Sequence, residues 1–278
     1  MTHSRKEGTP SEGGHIASSE TAELPVKVGG PNWYSDAAQY WDQVEPTVEG
    51  MLGGFGQLTD LDSTSSLRFI DEFINGKKGP GGRIVKPPRI GKTLACGLYF
   101  TIPLDRRVSF KYWAPDCGAG IGRVSKNFLL KVFDRVDLVE QNPKFLEEAE
   151  ASFLGNEYAA RVDRFIPKGL QEFSPEDGRY DLIWTQWVLG HLTNDDFIAF
   201  FQRCKRGLKP NGLIGVKENV TSQGVDVDKD DSSVTRSNAI LKDLFAKAGL
   251  RLIKEEKQKG FPQGLYAVYI RVTDVSIM

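Results

Sequence analysis

The hydrophobic and polar positions of this chain show two periodicities, one helical and one strand-like, which alternate from residue 123 onward. Apolar residues at helical spacing predict helices over 123–133, 143–154, 194–208 and 235–248. Apolar or alternating runs predict strands over 136–140, 162–166, 180–186, 212–218, 250–256 and 265–272. Because strands separated by such helices pair in parallel, the pattern predicts an α/β domain whose sheet is covered on both faces.

The chain before residue 80 is patterned differently. Residues 1–30 are rich in Gly, Ser, Thr and Glu and nearly lack large apolar side chains, which predicts a disordered tail. Apolar spacing then predicts a helix from Trp33 that stops near Pro46, and a second helix over 67–74. The polar residues 62–66 are predicted to cap that second helix.

Between these two helices lies Met51-Leu52-Gly53-Gly54-Phe55-Gly56. It combines apolar anchors with three glycines, too flexible for the interior of an element and too apolar for a plain linker. The segment is therefore interpreted as a lid or a binding loop.

Composition narrows the class of protein. The chain has 278 residues, 40% of them hydrophobic, which suits a single α/β domain with additions, predicted over 31–278. Lys and Arg number 36 against 37 acidic residues, so no basic field for nucleic acid is expected. Three scattered cysteines argue against a disulfide framework or a metal cluster, and no apolar run is long enough for a bilayer. These counts favour a soluble intracellular protein without metal, direct nucleic-acid or membrane partners.

The segment Asp116-Cys117-Gly118-Ala119-Gly120-Ile121-Gly122-Arg123 predicts a ligand-binding loop. Glycine lacks a Cβ and accepts positive φ, so a ligand can approach the backbone closely. About twenty residues later an apolar strand ends in Glu140, the spacing at which a Rossmann-type fold places a carboxylate on a ribose. The third glycine comes one position too early for the dinucleotide fingerprint. This favours S-adenosylmethionine, whose carboxylate Arg123 would hold.

Other residues carry candidate chemistry. His191 follows a predicted strand at the sheet edge where α/β folds bind ligands, and it is either a base or a structural histidine. Trp187 is either a core residue or a platform for a flat or ring-shaped ligand. Four acidic residues lie close together in the sequence: Asp226, Asp228, Asp230 and Asp231. They are either part of a solvated loop or a site that binds a cation, in which the like charges raise one another's pKa values.

In chain order these segments resemble the α-N-terminal protein methyltransferases, a branch of the class I S-adenosylmethionine-dependent methyltransferases. The resemblance runs from about Tyr40 to Tyr269. Besides the loop at 51–56 and the glycine loop, it rests on Tyr40-Trp41, Pro46-Thr47-Val48, Gly169-Leu170-Gln171, Trp184 to Leu192, Arg203-Cys204-Lys205, Lys217-Glu218-Asn219 and Asp231-Ser232-Ser233-Val234.

The resemblance implies a Rossmann-like fold with a mixed seven-stranded sheet, helices on both faces, N-terminal helices and a β-hairpin-like insertion. It also implies metal-independent transfer of methyl groups from S-adenosylmethionine to a free α-amine. The implied partners are protein N-terminal segments that read X-Pro-Lys or X-Pro-Arg once the initiator methionine is removed. The implied location is the nucleus, the cytoplasm or both.

The resemblance further implies roles for single residues. Asp231 and His191 would be the general bases. The cofactor would contact Gly118, Arg123, Glu140, Leu170, Gln171 and Gln186. The substrate's N-terminal segment would contact Tyr40, Trp41, Leu52, Leu58, Trp187, Asn219, Asp228, Ser233 and Tyr266.

One region departs from the family's pattern, an atypical and basic insertion near 79–115. The family has an apolar first strand leading into Asp116, whereas here Pro115 precedes it, and proline is disfavoured in a central strand. Deleting 97–115 would join Thr93-Leu94-Ala95-Cys96 to Asp116 and restore an apolar strand. The segment is therefore either a genuine insertion or an in-frame retained intron.

Two alternative functions stay open at this point. A class I methyltransferase for a small metabolite would keep the glycine loop but would not need Asn219, Asp228 and Asp231 together. A catalytically impaired, peptide-binding pseudoenzyme would result if the 97–115 insertion disturbed the central strand.

Overall fold

The computed structural model describes residues 28–82, 84–86, 89–90 and 112–275, and the side chains of 85 and 86 are excluded. Most of the predicted tail and most of the 79–115 insertion lie outside the described residues. The helices are α1 (Trp33–Asp42), α2 (Val48–Met51), α3 (Thr59–Asn75), α4 (Leu130–Val132), α5 (Pro143–Glu148), α6 (Gly155–Ala159), α7 (Asn194–Gly207) and α8 (Asn238–Lys247). Two π-helical turns, Ser125–Leu129 and Ala149–Phe153, adjoin α4 and α5.

The strands form one large sheet and two short hairpins. They are β1 (Lys77–Lys78), β2 (Ile84–Lys86), β3 (Trp113–Cys117), β4 (Arg135–Glu140), β5 (Val162–Pro167), β6 (Tyr180–Gln186), β7 (Leu208–Val220), β8 (Val225–Asp228), β9 (Ser233–Arg236), β10 (Leu250–Lys257) and β11 (Ala267–Val275). The large sheet has the order β10-β11-β7-β6-β3-β4-β5. Only β11 runs against its neighbours β7 and β10, so the sheet is mixed and seven-stranded, as predicted.

Apolar side chains on both faces of the sheet are covered by helices. Leu182 and Ile183, neighbours in β6, belong to different clusters because successive residues of a strand point to opposite faces. One cluster contains Phe69 and Phe73 of α3, and the other contains Phe197 of α7 with neighbours from α8. Burial of these large side chains is the main stabilising contribution.

Helix α3 begins earlier than the sequence pattern predicts. It runs from Thr59 to Asn75, so residues 62–66 lie inside it and the prediction that they cap it is wrong. Asp62, Ser65 and Ser66 are buried on the same side as Phe69. Their polar partners include Gln186 of β6, Lys217 of β7 and Arg123, which lies after β3.

Strand β3 lies in the middle of the sheet although it contains Pro115. It pairs with β4 along its whole length but with β6 only at Asp116 and Cys117. Proline cannot donate to a ladder, and the N–H of Trp113 donates instead to the Asp181 carboxylate at 2.9 Å. The sheet thus accommodates the proline by shortening one ladder.

The segment after β7 forms the hairpin of β8 and β9, which pair from Val225 with Arg236 to Asp228 with Ser233. The sequence predicts that the following helix starts at 235, but it starts at Asn238 because 233–236 are held in the hairpin. The β8–β9 hairpin matches the expected hairpin-like insertion and carries the acid cluster at its turn.

Candidate functional site

A cleft opens at the carboxyl ends of β3, β4 and β6, where an open α/β sheet places its ligands. It encloses about 920 Å³, its open mouth included. Residues of α1 and the segment around Met51, both from the N-terminal part of the chain, also line the cleft. The predicted lid loop therefore lies over the glycine loop.

The glycine loop forms a cradle whose glycines have positive φ values. Gly118 has φ +77°, and a Cβ there would lie 2.5 Å from the Val188 side chain. Gly120 has φ +53°, and its Cβ would lie 2.6 Å from the Met51 sulfur. Both positive φ values favour glycine, and at Gly118 the Val188 side chain also leaves no room for a Cβ, whereas at Gly120 the flexible Met51 side chain would have to move. The backbone itself therefore forms the floor of the cleft.

Glu140 lies at the end of β4 and lines the cleft. Its carboxylate accepts the N–H groups of Gly120 and Asn142, each at 3.0 Å. Burial raises the pKa of Glu140, and these N–H groups act in the opposite direction. The carboxylate is thereby fixed beside the glycine loop, where a ribose hydroxyl of a nucleoside would find an acceptor.

Arg123 and Gln186 form the wall next to the glycine loop. Both are nearly buried, with 4% and 5% of their surface exposed, and both bind the carboxylate of Asp62 from α3. The guanidinium of Arg123 also lies 5.2 Å from the centroid of the Trp187 ring. A cation at this wall suits a ligand carboxylate.

Leu170 and Gln171 also line the cleft, in the loop that follows β5. Arg203 of α7 holds this loop, because its guanidinium donates to the carbonyls of Leu170 and Gln171 at 2.8 and 3.0 Å. In the sequence Arg203 stands out only as part of a motif, and its structural role follows from these contacts.

Trp187 lies directly after β6 in the left-handed region, with φ +53°, which is rare for a bulky residue and implies backbone strain. Its indole nitrogen is buried and has no hydrogen-bond partner among the described residues. The turn that follows is held by Glu218, whose Oε1 accepts the N–H groups of Val188 and Leu189, both at 2.9 Å. Burial raises the pKa of Glu218 to about 7.

His191 occupies the end of this turn. The indole Nε1 of Trp41 donates to its Nε2 at 3.1 Å, and its Nδ1 lies 3.3 Å from the Ser232 carbonyl. The two contacts fit a neutral ring whose proton is on Nδ1, an assignment made from the hydrogen bonds. Burial lowers the pKa of His191, while the Asp231 charge works to raise it.

The acid cluster reaches the mouth of the cleft through the β8–β9 hairpin. Asp231 has a buried Oδ1 without a hydrogen-bond partner among the described residues. Burial raises the pKa of Tyr40, and the charges of Asp231 and Asp228 raise it further. Tyr266 is 44% exposed, and its hydroxyl donates to Asp226.

The structure brings most of the predicted site residues together. All six predicted cofactor residues line the cleft, together with Trp41, Leu52, Trp187 and His191. Leu58 is buried and is not part of the lining, and Asn219 lies half-buried near the end of β7, opposite Val268. The remaining predicted residues lie outside the lining: Tyr40, Asp228, Asp231, Ser233 and Tyr266.

Sequence reasoning missed Asp62, Lys217 as a buried ion, and Glu218 as a turn anchor. The helical spacing of Asp62, Ser65 and Phe69 places all three on one face, and this signal was available in the sequence. Within the described residues no group of His, Cys, Asp and Glu is arranged to hold a metal ion, and no helix has the length and apolarity to cross a membrane.

The sheet order, the glycine cradle and the acid at the end of β4 define the class: a class I S-adenosylmethionine-dependent methyltransferase. A Leishmania major S-adenosylmethionine-dependent methyltransferase is similar to this chain with a TM-score of 0.71 and 34% identity, covering 87% of this chain and 83% of its own. A Burkholderia thailandensis 1,6-didemethyltoxoflavin-N1-methyltransferase, solved with S-adenosylhomocysteine, shares the fold with a TM-score of 0.60, 16% identity and coverage of 95% and 99%.

The chain belongs to the family described as AdoMet dependent proline di-methyltransferase, which matches residues 30–87 and 103–272. The N-terminal Xaa-Pro-Lys N-methyltransferase 1 of Danio rerio is 42% identical over 86% of this chain and 93% of its own length. The Homo sapiens enzyme of the same name is 40% identical over 85% and 93%. The family match leaves out residues 88–102, which fall in the region where the sequence predicts an insertion.

Proposed function

We propose that this enzyme methylates the free α-amine of proteins that begin X-Pro-Lys or X-Pro-Arg after loss of the initiator methionine. The observation that carries the proposal is that His191 lines the same cleft as the glycine cradle, with Asp231 of the β8–β9 hairpin beside it at the mouth. The names of the curated relatives support the same substrate class.

The cradle, Glu140 and Arg123 fit S-adenosylmethionine. Glu140 would accept the ribose hydroxyls and Arg123 would bind the carboxylate, while Gly118, Leu170, Gln171 and Gln186 would line the rest. Bound there, S-adenosylmethionine supplies an electrophilic methyl group on its sulfonium.

The chain's own task is to provide an unprotonated amine. An α-ammonium has a pKa of about 7.7–8.0, so a carboxylate or an imidazole can remove its proton near neutral pH. Asp231 would act first, because its Oδ1 is buried without a partner among the described residues. His191 would act as a second base once the indole N–H of Trp41 releases its Nε2.

Recognition of the peptide would be shared among residues around the mouth. Trp187 would pack on the proline ring, Asn219 would hold the first residue's backbone, and Asp228 with Ser233 would receive the Lys or Arg. Asp228 is exposed on the hairpin, which suits binding of a long flexible cation. The walls would be formed by Tyr40, Trp41, Leu52 and Tyr266.

Mass spectrometry of short peptides incubated with the enzyme and S-adenosylmethionine tests this proposal. A peptide beginning Ser-Pro-Lys is expected to gain methyl groups, and the same peptide with an acetylated start is expected to gain none. Replacing Pro by Ala or Lys by Glu should lower the rate. Absence of any gain on the free-amine peptide would contradict the proposal, and indifference to these replacements would favour a small-metabolite enzyme.

A further inference from the structure

The carboxylate of Asp62 lies behind the cofactor wall, at the centre of a buried polar network. It accepts from Arg123 Nη1 at 2.7 Å and from Gln186 Nε2 at 2.8 Å, and it pairs with the ammonium of Lys217. The Asp62 side chain is 2% exposed and does not line the cleft. Asp62 therefore acts on a ligand only through the residues that it holds.

Both wall residues are oriented by this carboxylate. The Gln186 amide donates to Asp62, and its oxygen accepts from the Trp184 indole at 3.2 Å, so the amide cannot rotate without losing a buried hydrogen bond. The Arg123 guanidinium lies between Asp62 and the ring of Trp187. The hydrogen bonds of Arg123 and Gln186 to Asp62 both come from α3, which is far from the glycine loop in sequence.

Lys217 anchors the network to the sheet. Its ammonium is fully buried and donates to the Asp62 carbonyl at 2.9 Å, to Ser65 Oγ at 3.0 Å and to Ser66 Oγ at 3.1 Å. Burial works to raise the pKa of Asp62, but the charges of Lys217 and Arg123 hold it below its usual range. Asp62 is thus a permanent anion shared by two cations.

We propose that Asp62 is a positioning residue of the methyl-donor site, which fixes Arg123 and Gln186 for the amino-acid end of S-adenosylmethionine. The proposal rests on the role of Arg123 under the proposed function. It makes α3 a part of the cofactor site although α3 contributes no group to the cradle. A pre-oriented guanidinium binds a carboxylate more tightly, because less freedom is lost on binding.

Isothermal titration of two ligands with the purified enzyme tests this. S-adenosylhomocysteine carries the amino-acid end, whereas 5′-methylthioadenosine keeps the adenosine and lacks that end. Asp62→Asn is expected to weaken S-adenosylhomocysteine about ten-fold or more and to leave 5′-methylthioadenosine within about two-fold. The matched control is Asp243→Asn, which removes an exposed pair with Lys247 on α8 and should change neither affinity.

A second variant separates positioning from stability. Asp62→Asn leaves the buried Lys217 without a counter-ion, so Asp62→Asn with Lys217→Met removes that charge too. This double variant should recover thermal stability while S-adenosylhomocysteine still binds about ten-fold more weakly. If the double variant recovered S-adenosylhomocysteine affinity together with thermal stability, Asp62 would serve the fold alone and the proposal would be overturned. The same conclusion would follow if the single and the double variant each bound the two ligands equally weakly.

Arg123→Met distinguishes the two proposals. If Arg123→Met weakens S-adenosylhomocysteine but not 5′-methylthioadenosine, and Asp62→Asn does not, the proposed role of Asp62 is wrong and that of Arg123 stands. If Arg123→Met weakens both ligands equally, Arg123 does not bind the carboxylate, and the inference on Asp62 falls with it. Neither result depends on the peptide substrate.

Discussion

The cofactor wall and the mouth of the cleft are built in different ways. Arg123, Gln186 and Leu170 are at most 5% exposed and are fixed by hydrogen bonds to buried groups or to other elements. Tyr40 and Tyr266, at the mouth, are 40% and 44% exposed. The wall comes from the end of β6 and from the segments that follow β3 and β5, whereas the mouth comes from α1, the β8–β9 hairpin and the residue before β11.

This difference fits the two ligands proposed for the cleft. One small molecule of fixed structure is bound in every turnover, so a rigid, pre-oriented wall serves it well. Under the proposal, protein N-termini share only the proline at the second position and the Lys or Arg at the third, and an exposed mouth leaves room for the variable residues beyond them. The comparison predicts that changes at the wall affect methyl-donor binding, while changes at the mouth affect proton removal and peptide binding.

The largest effect is expected at Asp231. Asp231→Asn removes the proposed base at the mouth without changing its shape, so kcat should fall on the order of a thousand-fold. The affinity for S-adenosylhomocysteine, measured by calorimetry, should stay unchanged because Asp231 does not line the cleft. Asp230→Asn is the matched control, an exposed neighbour for which activity should be retained. Loss of S-adenosylhomocysteine affinity in Asp231→Asn would contradict the expectation that changes at the mouth leave methyl-donor binding unaffected.

The next effect is expected at the cradle. Gly118→Ala places a Cβ 2.5 Å from the Val188 side chain at φ +77°, and S-adenosylhomocysteine affinity should fall about a hundred-fold. Gly155→Ala is the control, because Gly155 has φ +70° with no atom within 4 Å of the added Cβ. Both variants share the backbone strain, so both should melt at a lower temperature. Only Gly118→Ala should lose affinity, and equal affinities would refute the cradle.

The elements of the α/β part could be predicted because helical and strand spacings are local properties of the sequence. The glycine loop and Glu140 were equally accessible, since strand, turn and helix follow one another directly. The contact between Lys217 and Asp62 joins residues 155 positions apart, and no local pattern encodes it. The helical spacing of Asp62, Ser65 and Phe69 indicates a shared face, but the buried cation that stabilises a carboxylate there cannot be predicted from local sequence.

The β8–β9 hairpin was missed in detail for a related reason. Its polar, acidic sequence has the composition of a loop, and only its pairing and its contact with the His191 turn make it ordered. At Pro115 the local sequence argues against a strand that the structure nevertheless contains. Its strand propensity is poor, yet β3 is central because tertiary pairing with β4 outweighs local preference.

Glu218 holds the turn that leads to His191 and should make stability depend on pH. Its pKa rises with burial to about 7, against about 4.3 in an unfolded chain, so between these values the folded state holds a proton that the unfolded state has lost. Stability should therefore fall as pH rises through this window, by on the order of 3 kcal/mol from this group alone.

Glu218→Gln should remove that part of the pH dependence, since an amide oxygen still accepts from Val188 and Leu189. Urea unfolding of both proteins at pH 5 and pH 9 measures it. Glu157→Gln, on the exposed α6, is the control and should follow the natural enzyme. A variant that loses stability with pH as steeply as the natural enzyme would contradict the assignment.

The smallest effect is expected where wall and mouth meet, at Trp41. Its indole donates to the Nε2 of His191, which favours the neutral ring, so Trp41→Phe should raise the pKa of His191. The chain has only three histidines, which makes a titration by NMR straightforward to assign. Trp33→Phe is a close control, because Trp33 donates to the backbone carbonyl of the same histidine at 2.6 Å and not to its ring. A similar rise in both variants would mean that general loosening of α1, and not the lost ring hydrogen bond, sets the basicity of His191.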